Sequence, residues 1–292
     1  QKQLTQYLPG WKIAWYPRPV NGNHAWVATD GSQYAVTIRG TLMEFSADAL
    51  NNWIYQDLNI VQQIKWPFSG GSDARVSQGS YRGWENLCRM KDTLTGKDLL
   101  TFLLENGSTK KPIVLTGHSL GGNLSTVYAT YLASELKKKQ RGFSHINVIS
   151  FASPAAGNEA FAHDFNAMFP QSKRVENNGD IVCKFPCSSK VAALGGLYAP
   201  TLDASRIEVG YQNMTVSLST VFKTLGTAIS LLEWKSGLPG FTQTNGEGTL
   251  ISIKPSGNNR NNDIAAWLAE ARYQHGIAQY ATALGAPVID CR

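Results

Sequence analysis

The sequence predicts an α/β fold with a central, mostly parallel sheet, antiparallel strands at its N-terminal end and a helical insertion in its second half. Two observations lead to this prediction. Apolar strand-like runs alternate with helical runs over residues 112–177, whereas residues 11–40 contain consecutive strand-like runs separated by turns. The chain has 292 residues, of which 42% are hydrophobic and 16% charged. Such a chain can form one domain with a large core, and we predict a single domain over 1–292.

Three strand-like segments open the chain. "WKIAWYP", "HAWVATDG" and "SQYAVTIRG" are apolar and aromatic, and Asn-Gly and Asp-Gly turn pairs separate them. Residues 41–58 then place apolar side chains four apart, which predicts a short helix. Residues 66–80 are rich in Pro, Gly and Ser and should be mostly loop. Helical spacing returns from about 81 to 104.

The centre of the chain alternates between strands and helices. The sequence predicts strands at "PIVLTG", "INVISFASP" and "KRVEN", and helices from Ser119 to about Lys139 and over "GNEAFAHDFNAMF". The insertion, 188–248, follows. An apolar stripe at helical spacing from Leu218 to Leu232 predicts an extra core helix there, and a helix beside the opening of a site is the alternative.

A serine turn joins the central strand to its helix. Gly117-His118-Ser119-Leu120-Gly121 satisfies G-x-S-x-G between a strand and a helix, the context that this nucleophile turn requires. Glycines two residues to either side of the serine let the strand and the helix approach without a Cβ clash. The helix N-terminus directs its positive dipole at the hydroxyl. We therefore interpret Ser119 as a nucleophile, and a strand-to-helix turn without chemistry is the alternative.

A serine nucleophile needs a base. In hydrolases built on this turn, the acid and then the base follow the serine in the chain. Three histidines follow Ser119, and His145 and His163 precede almost every candidate acid. This order leaves His275, in "RYQHGIAQY", as the predicted base. We interpret His118, inside the turn, as a packing or supporting residue.

The base needs an acid that orients it and stabilises its charged form. Asp180, in "RVENNGDIVCKFP", follows a strand and a turn, which is where this acid should lie. Asp203 and Asp263 lie in less strand-like surroundings and are predicted to be solvated loop acids. Ester cleavage also needs two donors for the oxyanion, each worth roughly 3–4 kcal/mol of barrier. We predict the backbone N–H of Leu120 and, at the end of the strand "TIRGT", the N–H and hydroxyl of Thr41.

These motifs together resemble the class 3 lipase family, typified by secreted fungal triacylglycerol lipases. The similarity lies in an ordered set: "YAVTIRGT", "NNWIYQDL", "QGSYRGW", "VLTGHSLGG", "FASPAAGNEAF", "ENNGDIVCKFP" and "HGIAQY". The resemblance implies an α/β-hydrolase fold, a triad of Ser119, Asp180 and His275, and an oxyanion hole of Thr41 and Leu120. Asp180 and His275 are further apart than in the compact fungal members, because 188–248 lies between them.

Apolar residues just after Thr41 predict a lid over residues 41–55, with a core-packed loop as the alternative. Exposing on the order of 400 Å² of apolar surface would cost up to roughly 10 kcal/mol in water. Such a lid would stay closed in solution and open against a lipid surface. The candidate lid and substrate residues are Met43, Phe45, Leu50 and Trp53.

Composition restricts the partners and the compartment. The net charge is +6, and apart from a lysine triplet at 137–139 the basic residues are scattered, so no nucleic-acid partner is expected. No apolar segment approaches the length of a membrane span, and serine ester chemistry needs no metal or cofactor. The start at Gln1 fits a processed secreted protein, and the four cysteines fit an oxidising compartment. Cys183 and Cys187, in "CKFPC", are the candidate disulfide, and a zinc site is disfavoured because no second ligand pair stands at zinc spacing.

The sequence thus predicts a secreted serine carboxylic-ester hydrolase that acts at a lipid–water interface, most specifically a triacylglycerol lipase. It does not determine the oligomeric state, for which a monomer is the working expectation. Phospholipase A1 and feruloyl or short-chain esterase are alternatives with the same chemistry. A non-catalytic lipid-binding hydrolase fold is the alternative from a different class.

Overall fold

A computed structural model of the protein describes residues 2–40, 62–71, 73–106, 111–211, 214–246, 248–257 and 261–288. Its strands in chain order are β1 (Lys12–Trp15), β2 (Ala25–Thr29), β3 (Tyr34–Ile38), β4 (Gln63–Lys65), β5 (Arg75–Ser77), β6 (Ile113–His118), β7 (Ile146–Phe151), β8 (Gly157–Asn158), β9 (Lys173–Asn177), β10 (Glu208–Tyr211), β11 (Met214–Ser217), β12 (Phe241–Thr242) and β13 (Thr249–Ile251).

The main sheet has the order β1-β2-β3-β6-β7-β9-β13 among the described residues. The pairs β1–β2 and β2–β3 are antiparallel, and every neighbouring pair from β3 to β13 is parallel. The predicted α/β fold, with antiparallel strands first and parallel strands after them, is confirmed. The carboxyl ends of β3, β6, β7 and β9 therefore meet at one edge of the sheet, where ligand sites of open α/β sheets form.

Helices cover the parallel strands. In chain order they are α1 (Lys2–Tyr7), α2 (Gln78–Arg89), α3 (Leu99–Asn106), α4 (Leu120–Lys138), α5 (Glu159–Met168), α6 (Ser188–Ala192), α7 (Leu218–Ser236), α8 (Ile264–His275) and α9 (Ile277–Ala283). The main core joins α4 to the inner strands through residues such as Leu115, Tyr128 and Val148, all 1% exposed or less. In the parts of the chain described here, no helix is long and apolar enough to cross a membrane.

The segment predicted as one helical region, about 81 to 104, forms two helices with a turn between them. The carboxylate of Asp92 fixes this turn, because it accepts hydrogen bonds from the backbone N–H of Tyr16 and of Thr95. Gly96 follows with φ +69°, a conformation that suits glycine. Asp98 then accepts a bond from the N–H of Thr101 and caps α3. The interruption depends on a contact with the distant β1 region, which helical spacing does not encode.

The predicted loop at 66–80 is only partly a loop. Residues 66–74 are irregular where described, but Arg75–Ser77 form β5, and α2 begins at Gln78. β5 belongs to a small antiparallel sheet of order β12-β8-β5-β4. Its partners lie far along the chain, so pairing rather than local sequence makes this strand.

The insertion 188–248 contributes a second core. The stripe on α7 is buried at Leu218, Phe222 and Ile229, each 1% exposed or less, whereas Leu232 at its end is 39% exposed. The ring of Phe222 lies 5.1 Å from that of Trp267 on α8. The prediction of an extra core helix agrees with this packing, and the helix supports the element that ends at His275.

Candidate active site

The serine of the G-x-S-x-G turn lies between β6 and α4. Ser119 has φ 60° and ψ −130°, a conformation that costs a non-glycine residue on the order of 1–3 kcal/mol. A Cβ added to Gly121 would lie 2.0 Å from the carbonyl oxygen of Ile38, and one added to Gly117 would lie 2.4 Å from the carbonyl carbon of Gly121. Only glycine at both positions allows this approach, so the sequence holds the serine in a fixed, strained turn.

The end of β3 contacts the same turn. A Cβ added to Gly40 would lie 2.6 Å from the carbonyl oxygen of His118 and 3.2 Å from Cβ of Ser119. Thr41, the predicted second oxyanion donor, is the next residue and lies outside the described residues. Leu120, the other predicted donor, is the first residue of α4. An N–H at this position has no partner within its own helix and can bind an oxyanion.

A carboxylate and an imidazole lie beside this turn. Asp180, in the turn after β9, and His275, the last residue of α8, are 0% and 6% exposed. The distance from His275 Nδ1 to Asp180 Oδ2 is 2.8 Å, although 95 positions separate them in sequence. The two residues that the sequence nominates as base and acid are therefore hydrogen-bonded partners.

Backbone and side-chain donors fix the carboxylate. Asp180 Oδ1 accepts a hydrogen bond from the N–H of Val182 at 2.8 Å, and Oδ2 accepts one from the hydroxyl of Tyr280 at 2.8 Å in addition to the imidazole. A buried carboxylate needs such donors, because an unpaired charge in the interior is costly. The orientation of Asp180 is thus set from three directions.

Three residues that sequence reasoning missed connect the acid to the base. The backbone N–H of Asn177 donates to the Tyr280 hydroxyl at 2.8 Å, and its side-chain amide donates to Oε1 of Gln274 at 2.7 Å. Gln274 precedes His275 directly, so Asn177 connects the strand that leads to Asp180 with the helix end that carries His275. Tyr280 lies within the quoted motif "HGIAQY", yet nothing in its spacing signals a contact with Asp180.

His118 packs against the base. Its ring centroid lies 4.6 Å from that of His275, and it directly precedes Ser119, so the imidazole of His275 lies at the serine turn. Burial, with a smaller contribution from the neighbouring His275, lowers the pKa of His118 from its ordinary 6.5 to about 4. His118 is therefore neutral near pH 7 and adds no positive charge beside His275.

The rival histidines and acids lie elsewhere. The carbonyl of His145 accepts from Ile113 at the start of β6, at the opposite end of the strand from Ser119. The side chain of His163 is 82% exposed. Asp203 pairs with nearby Arg206, and Asp263 caps α8. In the described part of the chain, no group of three or more His, Cys, Asp or Glu could hold a metal ion.

The predicted disulfide between Cys183 and Cys187 is wrong: both are free thiols in the structure. Cys183 is buried with Sγ 3.7 Å from the hydroxyl of Tyr280, whereas Cys187 donates to the carbonyl of Phe241 at 3.2 Å. Cys183 lies inside the short helical turn Val182–Lys184 and Cys187 lies three residues after it, and their side chains contact different neighbours. The interpretation of "CKFPC" as a disulfide-closed loop is therefore not supported by the local geometry.

The predicted lid, 41–55, lies outside the described residues. Its candidate substrate-contacting side chains remain predictions on the sequence alone, and they are Met43, Phe45, Leu50 and Trp53.

A mostly parallel sheet with a strained G-x-S-x-G turn at the end of its central strand is typical of the α/β-hydrolase fold. The crystal structure of M37 lipase has the same fold, with a TM-score of 0.75 and 23% identity, over 97% of this chain and 82% of that one. The family "Lipase (class 3)" matches residues 35–190, and the chain belongs to this family.

Two curated relatives match parts of the chain. Lipase ZK262.3 of Caenorhabditis elegans is 28% identical over 145 residues, which are 44% of this chain and 39% of that protein. Secreted mono- and diacylglycerol lipase 1 of Fusarium solani is 28% identical over 170 residues, which are 56% of this chain and 43% of that protein. The matched region thus spans about two fifths of the length of each relative.

Proposed function

We propose that the chain is a serine ester hydrolase in which Ser119 is the nucleophile, His275 the general base and Asp180 the orienting acid. The observation that carries the proposal is the 2.8 Å contact between His275 Nδ1 and Asp180 Oδ2 beside a serine on a strained turn. Membership of a lipase family supports it. A strained turn of this kind costs stability, and a catalytic role for Ser119 explains why the fold would retain it.

We assign the transferred proton to Nε2 of His275. Since Asp180 engages Nδ1, Nε2 of His275 takes the proton of Ser119 as Oγ bonds to the ester carbonyl carbon. The carbonyl π electrons move to its oxygen. When the tetrahedral intermediate collapses, the bond to the leaving alcohol breaks and the alcohol oxygen receives the proton from Nε2. Water then attacks the acyl-enzyme by the same steps and releases the carboxylic acid.

We further propose that the backbone N–H of Leu120 and the N–H or hydroxyl of Thr41 bind the oxyanion. Support comes from the position of Leu120 at the start of α4 and from Gly40, whose Cα packs against the serine turn just before Thr41. Replacing Thr41 by alanine should lower kcat more than it raises KM, because the hydroxyl would act in the transition state. A change confined to KM would remove Thr41 from this role.

Acylglycerols are the proposed substrates, at a lipid–water interface that opens the 41–55 lid. The name of the Fusarium solani relative, a secreted mono- and diacylglycerol lipase, supports both this substrate class and secretion. Phospholipase A1 and feruloyl or short-chain esterase activities share the chemistry. The substrate series below separates them.

The first experiment replaces Ser119 by alanine. We expect kcat on a soluble p-nitrophenyl ester to fall by roughly 10⁴-fold or more, with the melting temperature nearly unchanged. Ser153→Ala is the matched control. Ser153 is also buried, at 3% exposed, and lies near the turn, but its hydroxyl donates to the carbonyl of Pro154. Near-wild-type turnover by Ser119→Ala would refute the triad.

The second experiment measures initial rates on triglycerides of increasing chain length and on a phosphatidylcholine, below and above their aggregation limits. A rise in triglyceride rate when an interface forms supports a lidded lipase. A preference for phosphatidylcholine would indicate a phospholipase, and smooth saturation on soluble esters alone would indicate an esterase. Binding of lipid without turnover by the wild-type chain would indicate the non-catalytic alternative.

A further inference from the structure

The buried carboxylate of Asp180 accepts two hydrogen bonds on one oxygen. Oδ2 lies 2.8 Å from Nδ1 of His275 and 2.8 Å from the hydroxyl of Tyr280. Tyr280 is 2% exposed and belongs to α9, the helix that follows the base. The acyl-transfer steps described above do not use this tyrosine, although it contacts the same oxygen as the base.

The hydroxyl of Tyr280 is held as a donor toward the acid. The backbone N–H of Asn177 donates to the tyrosine oxygen at 2.8 Å. Because a backbone N–H can only donate, the single proton of the phenol is directed to Asp180. Burial raises the pKa of the Tyr280 phenol, so the phenol keeps its proton at neutral and acidic pH.

We propose that Tyr280 is a positioning residue of the triad: by donating to Asp180 Oδ2 it fixes that oxygen and sets how strongly the carboxylate holds a proton on His275. The inference rests on the proposed function of Ser119, Asp180 and His275. A donor on Oδ2 withdraws part of the negative charge that would stabilise the imidazolium. Tyr280 therefore keeps the base less basic than Asp180 alone would make it, and ready to return its proton to the leaving alcohol.

Other ionisable groups around the pair do not reproduce this effect. His118 packs on the imidazole from β6 and has its pKa lowered by burial, and burial raises the pKa of Cys183 and of Tyr198. These three groups are neutral near pH 7. Besides Asp180, charged side chains that act on Cys183 or Tyr198 are Glu176, Lys184 and Glu270. All of them are left unchanged in the variants below.

A purely structural role is the competing explanation. Tyr280 fills a small cluster with Ala152, Val175 and Cys183, and phenylalanine would fill the same volume. A structural role predicts that removing the hydroxyl changes stability alone. A positioning role predicts that it also moves the pH dependence of catalysis.

The test compares Tyr280→Phe with Tyr198→Phe. Tyr198 is the matched control, because its hydroxyl donates at 2.8 Å to the carbonyl of Gly179, in the same turn as Asp180 but not on the carboxylate. The pH profile of kcat/KM on a soluble ester has an acid limb, the rise in kcat/KM with increasing pH. In Tyr280→Phe we expect this acid limb to move to higher pH by roughly half a unit to one unit. Plateau kcat should fall roughly threefold to thirtyfold with KM changed less than about twofold. Tyr198→Phe should leave the limb in place.

A second variant covers the case in which Tyr280→Phe fails to fold. Site-specific incorporation of 3-fluorotyrosine at 280 preserves the shape and the hydrogen bond but makes the phenol a stronger donor. The acid limb should then move to lower pH, opposite to the phenylalanine variant, whereas the same substitution at 198 should leave it in place.

An unmoved limb in folded Tyr280→Phe or in the fluorotyrosine protein would overturn the proposal. Equal shifts in the 280 and 198 variants would also overturn it, because they would show a general disturbance of the turn. Failure of the proposed function itself is a different result: Ser119→Ala would then retain turnover, whatever the tyrosine variants show.

Discussion

Asp180→Asn tests the proposed triad through the hydrogen bonds that the structure gives this residue. The carboxylate accepts from three donors: the N–H of Val182 on Oδ1, and His275 Nδ1 and the Tyr280 hydroxyl on Oδ2. Asparagine has the same shape, but one of its two terminal atoms becomes an NH₂ group that only donates. The consequence for catalysis depends on which oxygen position the nitrogen takes.

The partners decide this orientation. At the Oδ1 position the amide nitrogen would face the N–H of Val182, a backbone donor that cannot become an acceptor. At the Oδ2 position it would face His275 and Tyr280, and both can accept, the imidazole by moving its proton to Nε2. We therefore expect the amide nitrogen at the Oδ2 position and the Nε2–H tautomer of His275.

This tautomer cannot take the serine proton. Loss of the correct tautomer lowers kcat by roughly 10⁴-fold in a serine triad, which corresponds to a barrier about 5.5 kcal/mol higher. The measurement is kcat on a soluble ester at neutral pH. Nitrogen-15 NMR of labelled histidine reports the tautomer in the same sample.

Asp263→Asn is the matched control for charge and size. Asp263 caps α8 by accepting from the N–H of Ala266 at 2.8 Å, and asparagine caps helices about as well as aspartate. Its kcat should stay within about twofold of wild type. If Asp180→Asn retained activity within roughly tenfold of wild type, the assignment of Asp180 as the orienting acid would be refuted.

Three further predictions follow from the same geometry. Gly121→Ala would place a Cβ 2.0 Å from a backbone carbonyl oxygen of β3 and should lower kcat/KM by roughly 100-fold or more. Gly83→Ala in α2 is the control, because its Cβ would meet only a flexible leucine side chain, at 2.5 Å, and its activity should stay near wild type. Equal losses of kcat/KM in the two variants would contradict this account. Because the pKa of His118 is about 4 in the folded protein and 6.5 ordinarily, the folded state binds fewer protons, so stability is lost as pH falls from 6.5 toward 4, by roughly 3 kcal/mol for this residue. In urea unfolding experiments, the free energy of unfolding of His118→Phe should fall less steeply than that of the wild type between pH 6.5 and pH 4. An equally steep fall in both proteins would show that His118 is not held neutral. Because Cys183 and Cys187 are free thiols, both should be alkylated in denaturant without reductant, as measured by peptide mass spectrometry. If both were protected from alkylation until a reductant was added, the disulfide prediction would be supported instead.

The local sequence was sufficient to predict the strands, helices and turns that form through local interactions. The alternating strands and helices of the centre follow from hydrophobic spacing, and α4 runs from Leu120 to Lys138, within a residue of the prediction. The serine turn follows from two glycines whose necessity is steric. The predicted helix over 81–104 is longer than the helices observed, because the break at Asp92 depends on a backbone N–H donated by Tyr16, which lies 76 positions away in the chain.

The order of motifs was sufficient to nominate the base and the acid, but not to place them. Asp180 and His275 meet only because β9 ends at the same sheet edge as β6 and because α8, packed on the insertion, ends there. The cysteine prediction is wrong for the complementary reason: closeness in sequence does not ensure closeness of side chains, and Cys183, inside the turn Val182–Lys184, contacts different neighbours from Cys187, which lies beyond that turn.

The sequence by itself determined the fold class, the family and the candidate residues Ser119, Asp180 and His275, since these depend on periodicity, turn chemistry and motif order. Only the tertiary structure decided how the acid is held. The donor from Val182 is local, but the donor from Tyr280 lies 100 positions from Asp180, and Asn177 contacts that tyrosine across 103 positions. Hydrogen bonds of this kind require particular distances in space, and a linear pattern carries no information about distance until the chain has packed.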